Sequence, residues 1–413
     1  MVAVFAYALT LLVAVLLSGV AHRTVLSTAA IFLVAGFLVG HGGGGWLDLD
    51  ARDATVQRFV EIVLFAVLFT DGMLIGIRDA RSAWRLPGRA LFLGLPLTLA
   101  ATAALAHFMV GLPWVESLLL GAALAPTDPV LAAAIVGREE VPARVRRLLN
   151  LESGLNDGLA LPIVIILIAA AGHNEFRVGS IAADVTLGVV IGIAVPLAAT
   201  YVARLPFLSS TTRYEPLNAV AIGLLVLSLA VITHANEFLA AFTCGITIAS
   251  AGPEIRDAFE RFGESITELL KLAGLLVFGA LITPGLFADV SWPGYVFAGL
   301  ALLVTRPASI LVSLLRSPMP SQERVVAAWF GPKGFASVVF GLLILQADVT
   351  AASRIFHLVA LVVVASILAH ASTDVLMARW FERQQAGAPP EAIAEDTRAA
   401  PREAAPPEAA TGD

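Results

Sequence analysis

Charge is scarce in this chain. Asp, Glu, Lys and Arg make up 14% of 413 residues and hydrophobic residues 58%, whereas soluble domains run about 25% charged and about 45–50% apolar. So little charge excludes a water-facing surface over most of the sequence and leaves a polytopic, all-α membrane protein. Cysteine is nearly absent too: Cys244, in "FLAAFTCGITIAS", is the only one. That excludes a disulfide framework or a thiolate metal cluster, and the residue reads as small packing. Nucleic-acid binding has no basic run to carry it. The chain has no P-loop, no HExxH and no GxSxG, so nothing supports ATP-driven coupling, zinc hydrolysis or a serine nucleophile. The expectation is a protein that is not an enzyme and holds no cofactor. The seven histidines are scattered, mostly near span ends, and read as ordinary interface residues.

What is present is a series of apolar windows of about 17–25 residues separated by polar, Pro or Gly punctuation. Thirteen candidates centre near residues 11, 32, 66, 99, 125, 160, 192, 223, 243, 275, 304, 335 and 364. The first lacks a basic leader and reads as a retained helix. With the N-terminus outside, the inside loops receive Arg78, Arg81, Arg85, Arg89, Arg138, Arg144, Arg146 and Arg147 among others, while the outside receives only Arg52, Arg58, Arg177 and Arg354. This asymmetry puts the C-terminus in the cytoplasm. Residues 1–383 therefore read as one transmembrane domain. Residues 384–413, rich in Pro, Ala and Glu and without aromatics, read as a disordered cytoplasmic tail.

Charges at bilayer depth cost roughly 2.5–3.5 kcal/mol on insertion scales and mark functional positions. Asp71 reads either as a helix-end residue or as one of these. Glu264, Glu268 and Lys271 fall at helical spacings at the cytoplasmic start of a span, which favours local pairing and snorkelling. Five others resist such explanations: Asp128, Glu152, Asp157, Arg306 and Lys333. In "ESGLND", Glu152, Ser153, Asn156 and Asp157 share one side of a helix and offer the carboxylate, hydroxyl and amide oxygens that hard cations prefer. Two carboxylates this close in low dielectric each disfavour the other's charge, so a proton and a metal ion can compete for them.

In "APTDPV", Pro126 and Pro129 oppose a continuous helix at mid-membrane. Exposed backbone is tolerated at that depth only inside protein or along a watery cavity. Thr127 adds a hydroxyl, and Asp128 a negative charge that can offset the positive ends of half-helices. A second break, "FGPKGFAS", puts Lys333 where the first has Asp128. With opposite directions of travel, the two suggest inverted repeats with two broken, crossing helices.

Taken together, "TDP", "ESGLND", the "RP" of Arg306 and Pro307, and "GPKG", in that order, resemble the monovalent cation:proton antiporter superfamily, in particular its NhaP-like sodium/proton exchanger branch. The resemblance covers about residues 1–383. It implies the NhaA/NhaP-like antiporter fold and a homodimer of thirteen-helix protomers, one bundle forming the dimer interface and a six-helix core moving against it. It further implies that Asp157 is the ion- and proton-binding carboxylate, with Ser153 and Thr127 as neutral sodium ligands and Asp128 beside them. Glu152 would pair with Arg306, and Asn156 marks the branch regarded as electroneutral. Lys333 departs from the arginine of many members, replacing a planar fork with a point charge.

The expected activity is sodium/proton antiport across a bacterial inner membrane, one cation per proton, with sodium ion, proton and the lipid bilayer as partners. Potassium/proton antiport is the nearest alternative, and a passive cation channel a more distant one.

Overall fold

A backbone in hydrocarbon must satisfy its own N–H and C=O groups, and these apolar runs do so as helices. The computed structural model describes residues 1–21, 27–74, 85–128, 141–172, 178–205 and 214–386. Among them all regular structure is helical apart from one isolated bridge between Gly172 and Val349.

The helices are α1 (Val2–Ala21), α2 (Thr28–Val39), α3 (Ala54–Met73), α4 (Arg85–Val110), α5 (Trp114–Leu124), α6 (Ala143–Ala171), α7 (Val178–Ala203), α8 (Glu215–Ile232), α9 (Glu237–Ala251), α10 (Pro253–Leu281), α11 (Trp292–Ser313), α12 (Ser321–Trp329), α13 (Phe335–Gln346) and α14 (Ala352–Ala386), with one single-turn helix, Pro284–Ala288, between α10 and α11. Each expected span finds a helix at its position, and the centres near 125 and 335 fall at the two breaks. α12 and α13 are the halves of one interrupted span. Six described helices are long and apolar enough to cross a membrane: α4, α6, α8, α11, and most of α7 and α14.

Local chemistry sets the ends. Ser27, Asp53 and Asn236 cap α2, α3 and α9 by accepting from the backbone N–H of Ala30, Thr55 and Leu239, the arrangement that satisfies orphan donors at a helix start. α4 and α11 each contain π-helical turns, Ala90–Gly94 and Ala106–Val110 in the first and Ala301–Thr305 in the second. Pro129 and the remainder of the first interrupted span lie outside the described residues. So do Arg78, Arg81, Arg138 and Arg177 of the charge asymmetry and all but the first three residues of the expected tail, 384–386, which continue α14.

The helices pack as two groups. In one, α2 lies on α10 and α3 lies between α9 and α10, with α1, α7 and α8 completing the set; in the other, α4, α5, α6, α11, α12, α13 and α14 pack together. α3 and α9 crossing α6, and α3 and α10 meeting α13, form the seam between the groups. α3 and α9 approach so closely that a Cβ on Gly72 or Gly245 would overlap the facing backbone. Small residues permit that approach, and dispersion between the helices rewards it. Cys244, one residue before Gly245 on α9, is fully buried.

Candidate functional site

The seam is where the polar residues gather. On α6, Glu152, Ser153, Asn156 and Asp157 lie along one buried face, as their spacing requires. Where α5 ends, the chain turns extended through Pro126 and Thr127 and brings the Thr127 hydroxyl to 3.0 Å from the Ser153 hydroxyl. The Asn156 amide donates to the same Thr127 oxygen at 2.7 Å. Its amide nitrogen is thereby used, while Asn156 Oδ1, Asp157 Oδ1 and, from α3, Asp71 Oδ2 are buried with no hydrogen-bond partner. Buried acceptors are normally satisfied. Left open at one seam, together with Glu152 Oε2 on the same face of α6, these oxygens describe a place for a proton or a cation.

The two breaks hold one another. Lys333 Nζ donates to the carbonyls of Ala125 and Pro126, at 3.0 and 3.1 Å, where α5 ends. Reciprocally, Asp128 Oδ2 accepts from Phe335 N–H at the start of α13, at 2.9 Å. The Asp128 N–H donates to the Pro332 carbonyl, also at 2.9 Å. Positive charge thus meets a helix C-terminus and negative charge a helix N-terminus, as the helix dipole favours. A Cβ on Gly334 would overlap Asp128, so only glycine lets the strands cross there.

Arg306 supports the site from behind. Its Nη2 pairs with Glu152 Oε1 at 2.8 Å, and its Nη1 donates to the Ala328 carbonyl at 2.7 Å and the Ala327 carbonyl at 3.2 Å, at the end of α12. Both partners are buried. The guanidinium lies against Gly331, where a Cβ would overlap its central carbon.

Of three further buried residues, the sequence leaves Asp71 open between two readings and reads Lys271 and His370 otherwise. Lys271, expected to snorkel, is 4% exposed, because α10 begins at Pro253 and not near Glu264. Eighteen residues of helix, about 27 Å, separate Lys271 from that start, while Glu264 and Glu268 remain exposed. Asp71 is 3% exposed and faces the bundle. Asp71, Lys271, Asp128 and Lys333 all lie within electrostatic range of Asp157. His370, read as an interface residue, is buried. Its Nδ1 is 2.8 Å from the Ser366 carbonyl and its Nε2 3.0 Å from the Trp329 carbonyl, tying α14 to the end of α12. The signal for Asp71 and Lys271 was their charge within apolar runs; what misplaced Lys271 was the unknown start of α10.

The family described as "Sodium/hydrogen exchanger, transmembrane" matches residues 8–379. Among curated proteins, the K(+)/H(+) antiporter NhaP of Alkalimonas amylolytica is 26% identical over 357 residues, covering 85% of this chain and 62% of that protein. The K(+)/H(+) antiporter NhaP2 of Shewanella sp. (strain MR-4) is 26% identical over 383 residues, covering 90% and 66%. The chain therefore spans slightly less than two thirds of the length of these relatives. Among solved structures, the sodium proton antiporter MjNhaP1 from Methanocaldococcus jannaschii at pH 8 aligns with a TM-score of 0.75 at 17% identity, covering 91% of this chain and 96% of that one. The last likeness establishes the fold.

Proposed function

Because the chain belongs to the sodium/hydrogen exchanger family, we propose that it is a secondary-active antiporter exchanging a monovalent cation for a proton by alternating access. The observation that carries this reading is the set of open, buried oxygens on Asn156, Asp157 and Asp71 beside the crossed helix breaks. Asp157 takes a proton or a cation, and Thr127, Ser153 and Asn156 supply neutral oxygens. Asp128 and Lys333 keep fixed charge against the half-helix ends, so the breaks stay together as the site changes occupancy.

The transport step is motion of the α4–α6 and α11–α14 group against the other. An empty, ionised Asp157 resists crossing the apolar seam because burying an uncompensated charge is costly. A protonated or cation-loaded one does not, which couples the two fluxes. The exchange leaves cation and proton chemically unchanged on either side of the membrane, so on this reading the protein is a transporter and not an enzyme, and it needs no cofactor.

Asp71 adds a second carboxylate to the one expected, but Lys271 cancels its formal charge. The reading therefore stays at one cation for one proton. Sodium is the proposed cation; the names of the two NhaP relatives favour potassium as the second reading. Carboxylate, hydroxyl and amide oxygens serve either ion. The proposed setting is a homodimer in a bacterial inner membrane, N-terminus outside and C-terminus cytoplasmic.

The test is purified protein in liposomes with a trapped pH indicator. Imposed sodium, potassium and lithium gradients should each be scored for proton movement, with sodium or potassium driving it and the gradient-free control still. A cation flux with no accompanying proton movement would instead indicate a channel.

A further inference from the structure

Three cationic side chains are buried at the seam, and they differ in commitment. Arg306 is held by Glu152 and two carbonyls, and Lys333 by the two carbonyls that end α5. Lys271 is different. It lies within the electrostatic reach of Asp71, Asp128, Asp157 and, more weakly, Glu268. Among the described residues, however, it makes no direct ion pair. At the same seam the carboxylate oxygens Asp71 Oδ2 and Asp157 Oδ1 also lack hydrogen-bond partners. A buried lysine within range of buried carboxylates and paired with none of them is a charge that a small cation can replace.

A cavity opens along the same helix. Arg256, Glu260, Glu264, Thr267 and Lys271 follow one another on α10 at spacings of four, four, three and four, which puts them on one face. Arg256, Glu260 and Glu264, with Thr70 and Met73 of α3, line a cavity of about 190 Å³. The Thr70 hydroxyl meets the Thr267 hydroxyl at 2.8 Å. Asp71 is the next residue on α3, and Lys271 is one helical turn beyond Thr267. The cavity wall thus lies one residue from Asp71, and the Thr70–Thr267 contact holds the two helices together beside Asp71 and Lys271.

We propose that Lys271 is a tethered counter-ion of the cation site: it compensates Asp71 and Asp157 when the site holds neither cation nor proton, and an arriving cation displaces it. The assignment rests on the antiport reading given above. A flexible four-carbon stem with a compact charge suits this role, because the ammonium can withdraw without dismantling a fork of hydrogen bonds. Its location also matters. Lys271 and Asp71 belong to one helix group and Asp157 to the other, so moving an empty Asp157 away also separates it from its counter-ion. The lysine thereby penalises the empty crossing and spares the loaded one.

The experiment compares wild type, K271Q, K271R, D71N and the double variant D71N/K271Q in liposomes. It measures the apparent KM for whichever cation drives wild-type exchange, together with the pH profile. Cation-induced thermal stabilisation of the purified proteins serves as a readout independent of transport. Without the competing ammonium, K271Q should bind the cation about tenfold more tightly, within the usual range of site-to-site coupling. Its profile should move to higher pH, because the same carboxylates also hold their protons more firmly. K271R, with the charge retained but as a fork that withdraws less readily, should not tighten cation binding. D71N should weaken cation binding, and D71N/K271Q should restore it.

A K271Q protein with wild-type KM and pH profile, or with weaker cation binding, would overturn the proposal. If K271Q does not fold, the comparison of D71N with the charge-balanced double variant decides, and equal affinities there would overturn it. A wild type that moves no protons under any cation gradient would defeat the antiport reading instead.

Discussion

Asp157 and its neighbour Asn156 differ by one functional group, and that group decides which of them can trade a proton for a metal ion. Replacing Asp157 with Asn keeps size and removes the exchanging charge. Cation-driven proton flux should fall to the level of empty liposomes, while thermal stability stays near wild type. Substantial flux in that variant would remove Asp157 from the centre of the mechanism. Glu152 and Arg306 predict a different pattern, since they neutralise one another as a buried pair. Truncating one partner of a buried pair typically costs about 3–5 kcal/mol because the other charge is stranded. Arg306→Gln should be the worse of the two single changes, because Arg306 also holds the Ala327 and Ala328 carbonyls. Glu152→Gln with Arg306→Gln should recover part of the loss in thermal midpoint; strictly additive losses would mean that the pair contributes nothing as a pair.

Each of the two breaks is stabilised by the other, so damage to one should be felt at both. Gly331→Ala would drive a methyl into the Arg306 guanidinium, and Gly334→Ala would push Asp128 from Phe335 N–H. Both variants should lose exchange and lower the thermal midpoint. A fully active Gly334→Ala protein would show that the crossing tolerates rearrangement. The π-turn Ala301–Thr305 sits immediately before Arg306. A π-turn accommodates a residue more than the regular helix would, so deleting Leu303 should restore α-helical winding while the two ends of α11 keep their facing. Glu152 and Arg306 should then stay paired, with a smaller loss in thermal midpoint than that of Arg306→Gln. The breaks were legible from Pro126, Pro129, Pro332 and the paired charges Asp128 and Lys333, because proline and charge are so expensive in a membrane helix that they stand out without a structure. The π-turns were not, since "ALLVT" reads like any apolar helix and its winding is set by what it packs against.

At the scale of the whole molecule, the test is charge. One cation exchanged for one proton moves no net charge, whereas one elementary charge crossing 100 mV is worth about 2.3 kcal/mol. With sodium as the driving cation and a potassium/valinomycin clamp, rate and endpoint should not respond to voltage. A response would implicate Asp71 or Asp128 as a second titrating group, and D71N or D128N should then abolish it. The thirteen-span count was legible because each span has to satisfy its own backbone. The grouping of those spans was not, because the periodicity of a helix apolar on most sides does not reveal which face meets which neighbour; Asp71 and Lys271 became site residues only once α3 and α10 met α13. One further property follows from the burial of Cys244 on α9. The folded protein offers a thiol reagent no accessible sulfur, so a single cysteine introduced on each helix group can carry a spin or fluorescent label without first removing a native one. The distance between the two labels would then report the sliding of one group past the other directly.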